Sequence, residues 1–204
     1  YRSRPMESIL EEAETLAKNG TKELIVIAQD TTRYGCDLYK KRMLPELLQK
    51  LCKVDGIVWI RVLYCYPDFM PEELMDTIAR EPKIVKYIDL PLQHCSGTVL
   101  RAMRRFGNRE KLTALIQKMR ARIPGLILRT TMIAGFPGET EEDFAQLCAF
   151  IKEIRFERLG CFAYSQEEDT PAAEMENQIE EEEKRRRADR VMETQMGIMQ
   201  DWGE

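Results

Sequence analysis

Five short apolar runs, at 24–28, 57–63, 84–90, 126–134 and 159–164, alternate with longer amphipathic stretches along this chain. The runs are rich in β-branched residues and mostly lack apolar–polar alternation, as expected of parallel strands covered on both faces. They begin near residues 24, 57, 84, 127 and 159, which gives spacings of 33, 27, 43 and 32 residues. Each interval has room for a helix and two connections, so the pattern predicts repeated βα units with right-handed crossovers. The expected fold class is α/β, a partial (β/α) barrel of parallel strands with helices outside. No internal sequence repeat accompanies the spacing, which argues against a solenoid.

Helical period fills the intervals. Met6, Ile9, Leu10, Ala13, Leu16 and Ala17 share one face, with Pro5 before them and Gly20 after. Further helices are expected from Leu44 or Pro45 to about Lys53, from Pro71 to just before Pro82, and around Val99, Leu100 and Met103 with Ser96 as cap. Leu112, Leu115, Ile116 and Met119 mark another, which halts at Pro124-Gly125, and Phe144, Leu147, Cys148 and Ile151 line the next. In the last, Glu180 to Glu183 precede Lys184 to Arg187, so every acid sits four positions before a base. That order predicts a solvated, self-paired helix face.

Composition narrows the function classes. Among 204 residues, 44% are hydrophobic and 32% charged, enough to bury a core in a water-soluble domain. The net charge of −4 argues against a broad basic surface for nucleic acid. No run approaches the ~18 apolar residues of a membrane span, so no membrane partner is expected. Six cysteines at 36, 52, 65, 95, 148 and 161 never come closer than 13 positions, and His94 is the single histidine. With no CxxC or CxxxC, no metal ligand set is expected in this chain, and the thiols read as reduced in a cytoplasmic protein. The first residue is Tyr1 and the last three are Trp202-Gly203-Glu204, so both ends read as cuts within a longer protein.

The polar residues fall unevenly. Gln29-Asp30-Thr31-Thr32-Arg33-Tyr34-Gly35, Tyr64-Cys65-Tyr66-Pro67, Pro91-Leu92-Gln93-His94, Gly135-Phe136-Pro137-Gly138-Glu139-Thr140 and Tyr164-Ser165-Gln166-Glu167 each follow a strand. The opposite connections, such as Asn19-Gly20-Thr21 and Asp55-Gly56, are plainer. In a βα barrel the segments after the strands meet on the face where barrel enzymes hold their sites. Each motif has a plainer reading too. Asp30 can cap its own loop, Thr140 can cap a helix begun by Glu141, Glu142 and Asp143, His94 can be a satisfied supporting residue, and Tyr64 and Tyr66 can be packing. A phosphate loop is disfavoured, since no Gly-Lys-Ser/Thr follows Gly138.

Four of these blocks, in order, carry a resemblance: Ala28-Gln29-Asp30-Thr31-Thr32-Arg33-Tyr34-Gly35, Asp89-Leu90-Pro91-Leu92-Gln93-His94, Arg129-Thr130-Thr131-Met132-Ile133-Ala134-Gly135-Phe136-Pro137-Gly138-Glu139-Thr140, and Phe162-Ala163-Tyr164-Ser165-Gln166-Glu167. The sequence resembles the radical S-adenosylmethionine methylthiotransferases over nearly its whole length. That resemblance implies a barrel core of six βα units whose first strand, ending in the CxxxCxxC of a four-iron four-sulfur cluster, lies before Tyr1. It also implies an amino-terminal domain holding a second such cluster and a small carboxy-terminal β-domain, neither of them within this chain, so residues 1–204 read as the barrel core alone.

By resemblance, Gln29 and Asp30 approach the methionine amino group of S-adenosylmethionine, and Gln93 the ribose or methionine part. Ile133 and Gly135 flank the adenine, the backbone near Phe162 and Tyr164 reads its edge, and Arg129 meets the carboxylate. In such enzymes the reduced cluster cleaves the sulfonium to a 5′-deoxyadenosyl radical, so the protein groups position the cofactor and no catalytic side chain is assigned. Gln-Asp-Thr-Thr at 29–32 is similar to the branch that modifies ribosomal small-subunit protein S-twelve, where a methylthio group is added to the β-carbon of an aspartate; the transfer-RNA branch usually reads Gln-Asn-Val-Asn there. The acidic loops, with Asp30, Asp37, Asp68, Glu139, Glu167 and Glu168 against Arg33, Lys40, Lys41 and Arg42, lean the same way. An electron donor is the other implied partner, with room for RNA contact through the β-domain. The alternatives are the transfer-RNA branch, a barrel enzyme with an unrelated small substrate, and an inactive fragment that binds S-adenosylmethionine weakly or not at all.

Overall fold

The computed structural model describes residues 1–203. The strands are β1 (Glu23–Val26), β2 (Trp59–Val62), β3 (Ile84–Asp89), β4 (Ile127–Ala134) and β5 (Arg158–Ala163), and they form one five-stranded sheet in sequential order. The helices between and after them are α1 (Met6–Lys18), α2 (Leu44–Leu51), α3 (Glu72–Arg80), α4 (Gly97–Ala102), α5 (Arg109–Arg122), α6 (Glu141–Ile154) and α7 (Glu181–Trp202). All five expected strands are present, each within two residues of its expected start. Short helical turns at Thr31–Arg33, Cys36–Tyr39 and Pro171–Glu174 lie in loops and carry no apolar period, which is why periodicity alone passes over them.

The chain divides into two compact units, residues 1–90 with 118–127, and 91–117 with 128 onward. In the first, β1 pairs parallel to β2 with Glu23 level with Trp59, and β2 pairs parallel to β3 with a register shift between Ile60 and Val62. Leu44, Leu47, Leu48 and Leu51 recur at helical spacing on α2 and are all buried, against α1 and α3. Each such side chain contributes about 1.5–3 kcal/mol on leaving water. In the second unit, β4 pairs parallel to β5, with Thr131 level with Gly160 and Ile133 with Phe162. There α7 packs on β5 and α6.

One expectation fails. The strands are not covered on both faces: along β4, Leu128, Thr130, Met132 and Ala134 are buried while Ile127 and Arg129 are exposed. Ile25, Trp59 and Phe162 are 55%, 53% and 66% exposed. The alternation is therefore present in burial but hidden in the sequence, because the accessible face is apolar as well. An apolar face left open next to strand ends is the kind of surface a ligand covers.

The charged end of α7 also departs from a fully solvated face. Lys184 and Arg187 are buried, at 2% and 5% exposure, beside buried Ala188 and Val191. Ion pairs do form along the helix, Lys184 with Glu181 and Arg186 with Glu183 at i,i+3, and Arg187 with Glu183 at i,i+4. Two of the bases, however, face the body of the second unit, since a helix of this length must seat one stripe on the core whatever its charge.

Candidate functional site

In the first unit, Gln29 is exposed just past β1. Asp30 accepts the N–H of Thr32 at 3.0 Å on Oδ1 and the Thr32 hydroxyl on the same oxygen, so it caps the turn Thr31–Arg33. The capping reading of Asp30 thus describes one of its oxygens. Thr31 ties this turn to the end of β2: its N–H donates to the Tyr64 carbonyl at 3.2 Å and its hydroxyl to the Leu63 carbonyl at 3.0 Å. Tyr64 itself is left-handed, with φ 60°, and 46% exposed. A bulky residue held there is strained, and such strain concentrates at functional positions. A cavity of about 350 Å³ lies beside β1, lined by Tyr1, Ser3, Ile25, Ile27, Thr31 and Tyr34 among others.

The second unit brings together more of the expected residues. Gln93 follows β3 and is left-handed, with φ 71°. Its backbone is clamped to β4, the N–H donating to the Thr131 carbonyl and the carbonyl accepting from Ile133 N–H, both at 2.8 Å. The strained backbone is therefore over-determined by its neighbours, and the Gln93 amide oxygen Oε1 is buried without a hydrogen-bond partner. Ile133, half-buried, lies level with exposed Phe162, which places those two expected residues side by side. Tyr164 donates its N–H to the Ala134 carbonyl at 2.8 Å, packs edge-on against Phe136 with centroids 5.3 Å apart, and buries its hydroxyl without a partner. Arg129 is exposed on β4, level with Arg158 at the start of β5, six residues before the strand end where Gly135 sits.

Gly135 has φ 79°, and a Cβ there would meet the side chain of Lys184 and come within 3.1 Å of its Cα. The Lys184 ammonium lies 5.3 Å from the Tyr164 ring centroid. Glycine at 135 is therefore needed for the seat of α7 as well as for the turn.

Behind this surface is a buried polar network. The carboxylate of Glu139 contacts His94 Nε2 at 2.7 Å through Oε2; its Oε1 accepts Gly135 N–H at 3.0 Å and Arg187 Nη1 at 2.9 Å. The same Arg187 nitrogen donates to the Glu139 carbonyl at 2.9 Å. Both His94 and Glu139 side chains are 0% exposed. Ser96 donates its N–H to His94 Nδ1 at 3.0 Å and its hydroxyl to Asp143 Oδ1 at 2.7 Å. Ser96 therefore does not cap α4 by its side chain as expected; a buried carboxylate takes the hydroxyl instead. Thr140 caps α6 in a reciprocal box with Asp143, as expected. Burial works against the Asp143 charge, but the bonds from Thr140 and Ser96 outweigh it and hold the carboxyl below its ordinary value. The Arg187 charge is likewise disfavoured by burial and raised on balance by Glu139 and Glu183.

Glu139, counted above among acidic loop residues, is thus no part of an acidic rim. Sequence reasoning missed it and Arg187 because nothing in a run of glycines or a block of charges marks which members turn inward. The lone histidine, with a serine two positions on, was the available signal. Of the thiols, Cys65 and Cys95 are fully buried and burial pushes both up to about 12. Among the described residues no three His, Cys, Asp or Glu side chains are grouped as a metal site, so those residues do not fit the donor set of an iron–sulfur cluster. S-adenosylmethionine does fit them: Gln93 Oε1 and Tyr164 Oη are buried polar atoms without a partner, and Ile133 with exposed Phe162 offers an apolar surface on β4 and β5. No helix among the described residues is long and apolar enough to cross a membrane.

Residues 1–151 match the family model described as the Radical SAM superfamily. A protein of Lachnoclostridium phytofermentans named ribosomal protein uS12 methylthiotransferase RimO is 56% identical over 97% of this chain, which covers 45% of that protein. One of the same name from Flavobacterium johnsoniae is 51% identical over 98% of this chain and 46% of its own length. The chain thus spans less than half the length of these relatives. Among solved structures, the radical SAM coproporphyrinogen III oxidase HemN of Escherichia coli aligns with TM-score 0.62 at 15% identity, covering 96% of this chain and 46% of that one. The methyltransferase TsrM of Kitasatospora setae, solved with cobalamin and a [4Fe-4S] cluster, aligns with TM-score 0.60 at 18% identity over 78% of this chain and 30% of its own. At these identities the likeness shows the fold.

Proposed function

Because this chain belongs to the radical SAM superfamily, we propose that it is the barrel core of a methylthiotransferase acting on an aspartate of ribosomal small-subunit protein S-twelve (uS12). The observation that carries the reading is identity of 56% along 97% of the chain to a protein named for that activity. The cofactors are S-adenosylmethionine and two four-iron four-sulfur clusters, whose ligands belong to parts of the protein outside residues 1–204. When bound, S-adenosylmethionine supplies the radical and methyl chemistry of the family.

This chain's residues hold and shield it. Gln93 Oε1 accepts a hydroxyl or ammonium proton of the cofactor, which ends its burial without a partner. Ile133 and Phe162, side by side on the open face, cover the flat base, while the backbone at Gly135 and Tyr164 approaches its edge. Gln29 and Asp30 are the groups that the family resemblance assigns to the methionine amino group, and Arg129 the one it assigns to the carboxylate. Covering an apolar surface with the cofactor excludes water, which protects a reactive species from quenching. An electron donor completes the system, in a cytoplasmic setting where the thiols stay reduced.

The test uses the full-length, cluster-loaded protein, anaerobically, with uS12 and with isopentenylated transfer RNA in parallel. Mass spectrometry is expected to find the added methylthio group on an aspartate of uS12. The same mass increment on the RNA alone would transfer the protein to the transfer-RNA branch.

A further inference from the structure

Gln93, the residue with the strongest sign of a ligand role, adjoins in sequence His94, a fully buried polar group of the second unit. Gln93 Oε1 is buried without a partner, and His94 next to it enters a site with no exposure. Ser96 N–H donates to His94 Nδ1, so the ring proton sits on Nε2 and donates to Glu139. The Glu139 carboxylate then receives three donors from three segments: His94 after β3, Gly135 N–H at the end of β4, and Arg187 on α7. The neighbour of Gln93 and the turn at Gly135 are thus both tied to one carboxylate.

Resting on the functional reading above, we infer that Glu139, with His94 and Arg187, is a positioning residue for S-adenosylmethionine: it sets Gln93 and the Gly135 backbone in one fixed relation. The chemistry of the network makes it intolerant of neutral mimicry. In Glu139→Gln, the amide oxygen can face His94 only if the amide NH2 faces Gly135 N–H and Arg187, donor against donor. The flipped amide donates to His94 Nε2 instead, which moves the ring proton to Nδ1 and sets it against Ser96 N–H. Either arrangement leaves donors opposed in a dry site, so the segments after β3 and β4 move apart. Arg187→Lys keeps a charge beside the carboxylate, whereas Arg187→Met leaves that carboxylate buried and unpaired.

The experiment measures S-adenosylmethionine binding to the full-length, cluster-loaded protein by equilibrium dialysis, with KM and kcat beside it. Glu139→Gln is expected to weaken binding by about tenfold or more, the loss falling on KM more than on kcat, as displacement of a binding group by a fraction of an ångström does. Arg187→Lys is expected to retain more affinity than Arg187→Met. Glu153→Gln, at an exposed pair with Arg109, serves as the matched control for loss of a carboxylate charge. A folded Glu139→Gln protein whose affinity stays within twofold of the parent overturns the inference. If that variant does not fold, the Arg187 pair decides, and equal affinities overturn it. A parent protein that binds no S-adenosylmethionine at all brings down the functional reading itself, a different result from a parent that binds and variants that bind equally well.

Discussion

The side chain of Lys184 occupies the space that any side chain at Gly135 would need. Gly135 is left-handed at φ 79°, and the Lys184 Cα would lie 3.1 Å from an added Cβ. Two costs therefore combine in Gly135→Ala, backbone strain and a collision with a helix that cannot easily retreat. We expect a loss of about 2–4 kcal/mol in urea denaturation. A double-mutant cycle with Lys184→Ala should show a coupling of about 1 kcal/mol or more, since the truncation removes the stem but not the strain.

Gln93→Gly separates stability from binding. Relief of the left-handed strain, about 1 kcal/mol, is offset by the greater chain entropy of glycine, so stability should change by less than about 1 kcal/mol. Affinity for S-adenosylmethionine should nevertheless fall by about tenfold, as expected when a buried ligand group loses its partner. Unchanged affinity would remove Gln93 from the site.

Acid should loosen the second unit at Asp143. Its folded carboxyl lies below the ordinary value, so the ionised form is favoured by folding. That contribution is complete above the unfolded carboxylate pKa, roughly 3.9, and is lost as pH falls through the lower folded value. Asn at 143 offers one oxygen where two donors, Thr140 N–H and the Ser96 hydroxyl, now have one each. The stability difference between parent and Asp143→Asn should therefore be constant from pH 7 to 5 and shrink below about pH 4. A difference that grows with acid would contradict the assignment.

Native thiol labelling should spare Cys65 and Cys95. Both have 0% exposure and thiols pushed up to about 12 by burial, so the reactive thiolate is scarce and unreachable. Peptide mapping after brief treatment with iodoacetamide at pH 8 should find neither modified, while half-exposed Cys36 reacts. Rapid labelling of Cys65 would mean that the segment around Tyr64 opens on that timescale.

Much of the architecture was legible because it rests on local rules. Apolar runs about 30 residues apart, Thr140 three positions before Asp143, and the halt at Pro124-Gly125 each state a strand, a cap or a stop in the chemistry of a few neighbours. The order of four motifs is likewise a property of the sequence alone, and it marks the family. Less was legible where a residue's role depends on its direction. Asp30 and Glu139 are both loop acids, yet one is half-buried and caps its own turn while the other is sealed beneath three donors. Lys184 and Arg185 are neighbours in one charged block, and α7 buries the first while exposing the second.

By itself, then, the sequence determined the parallel α/β class, the order of its elements and the family. Only the tertiary structure decided that β1, β2, β4 and β5 each leave apolar side chains accessible, and that His94, Glu139 and Arg187 share one dry site. The reason is physical. Periodicity and capping are written in residues within a turn or two of each other, whereas the burial of a charge depends on donors 45 and 48 positions away closing around it.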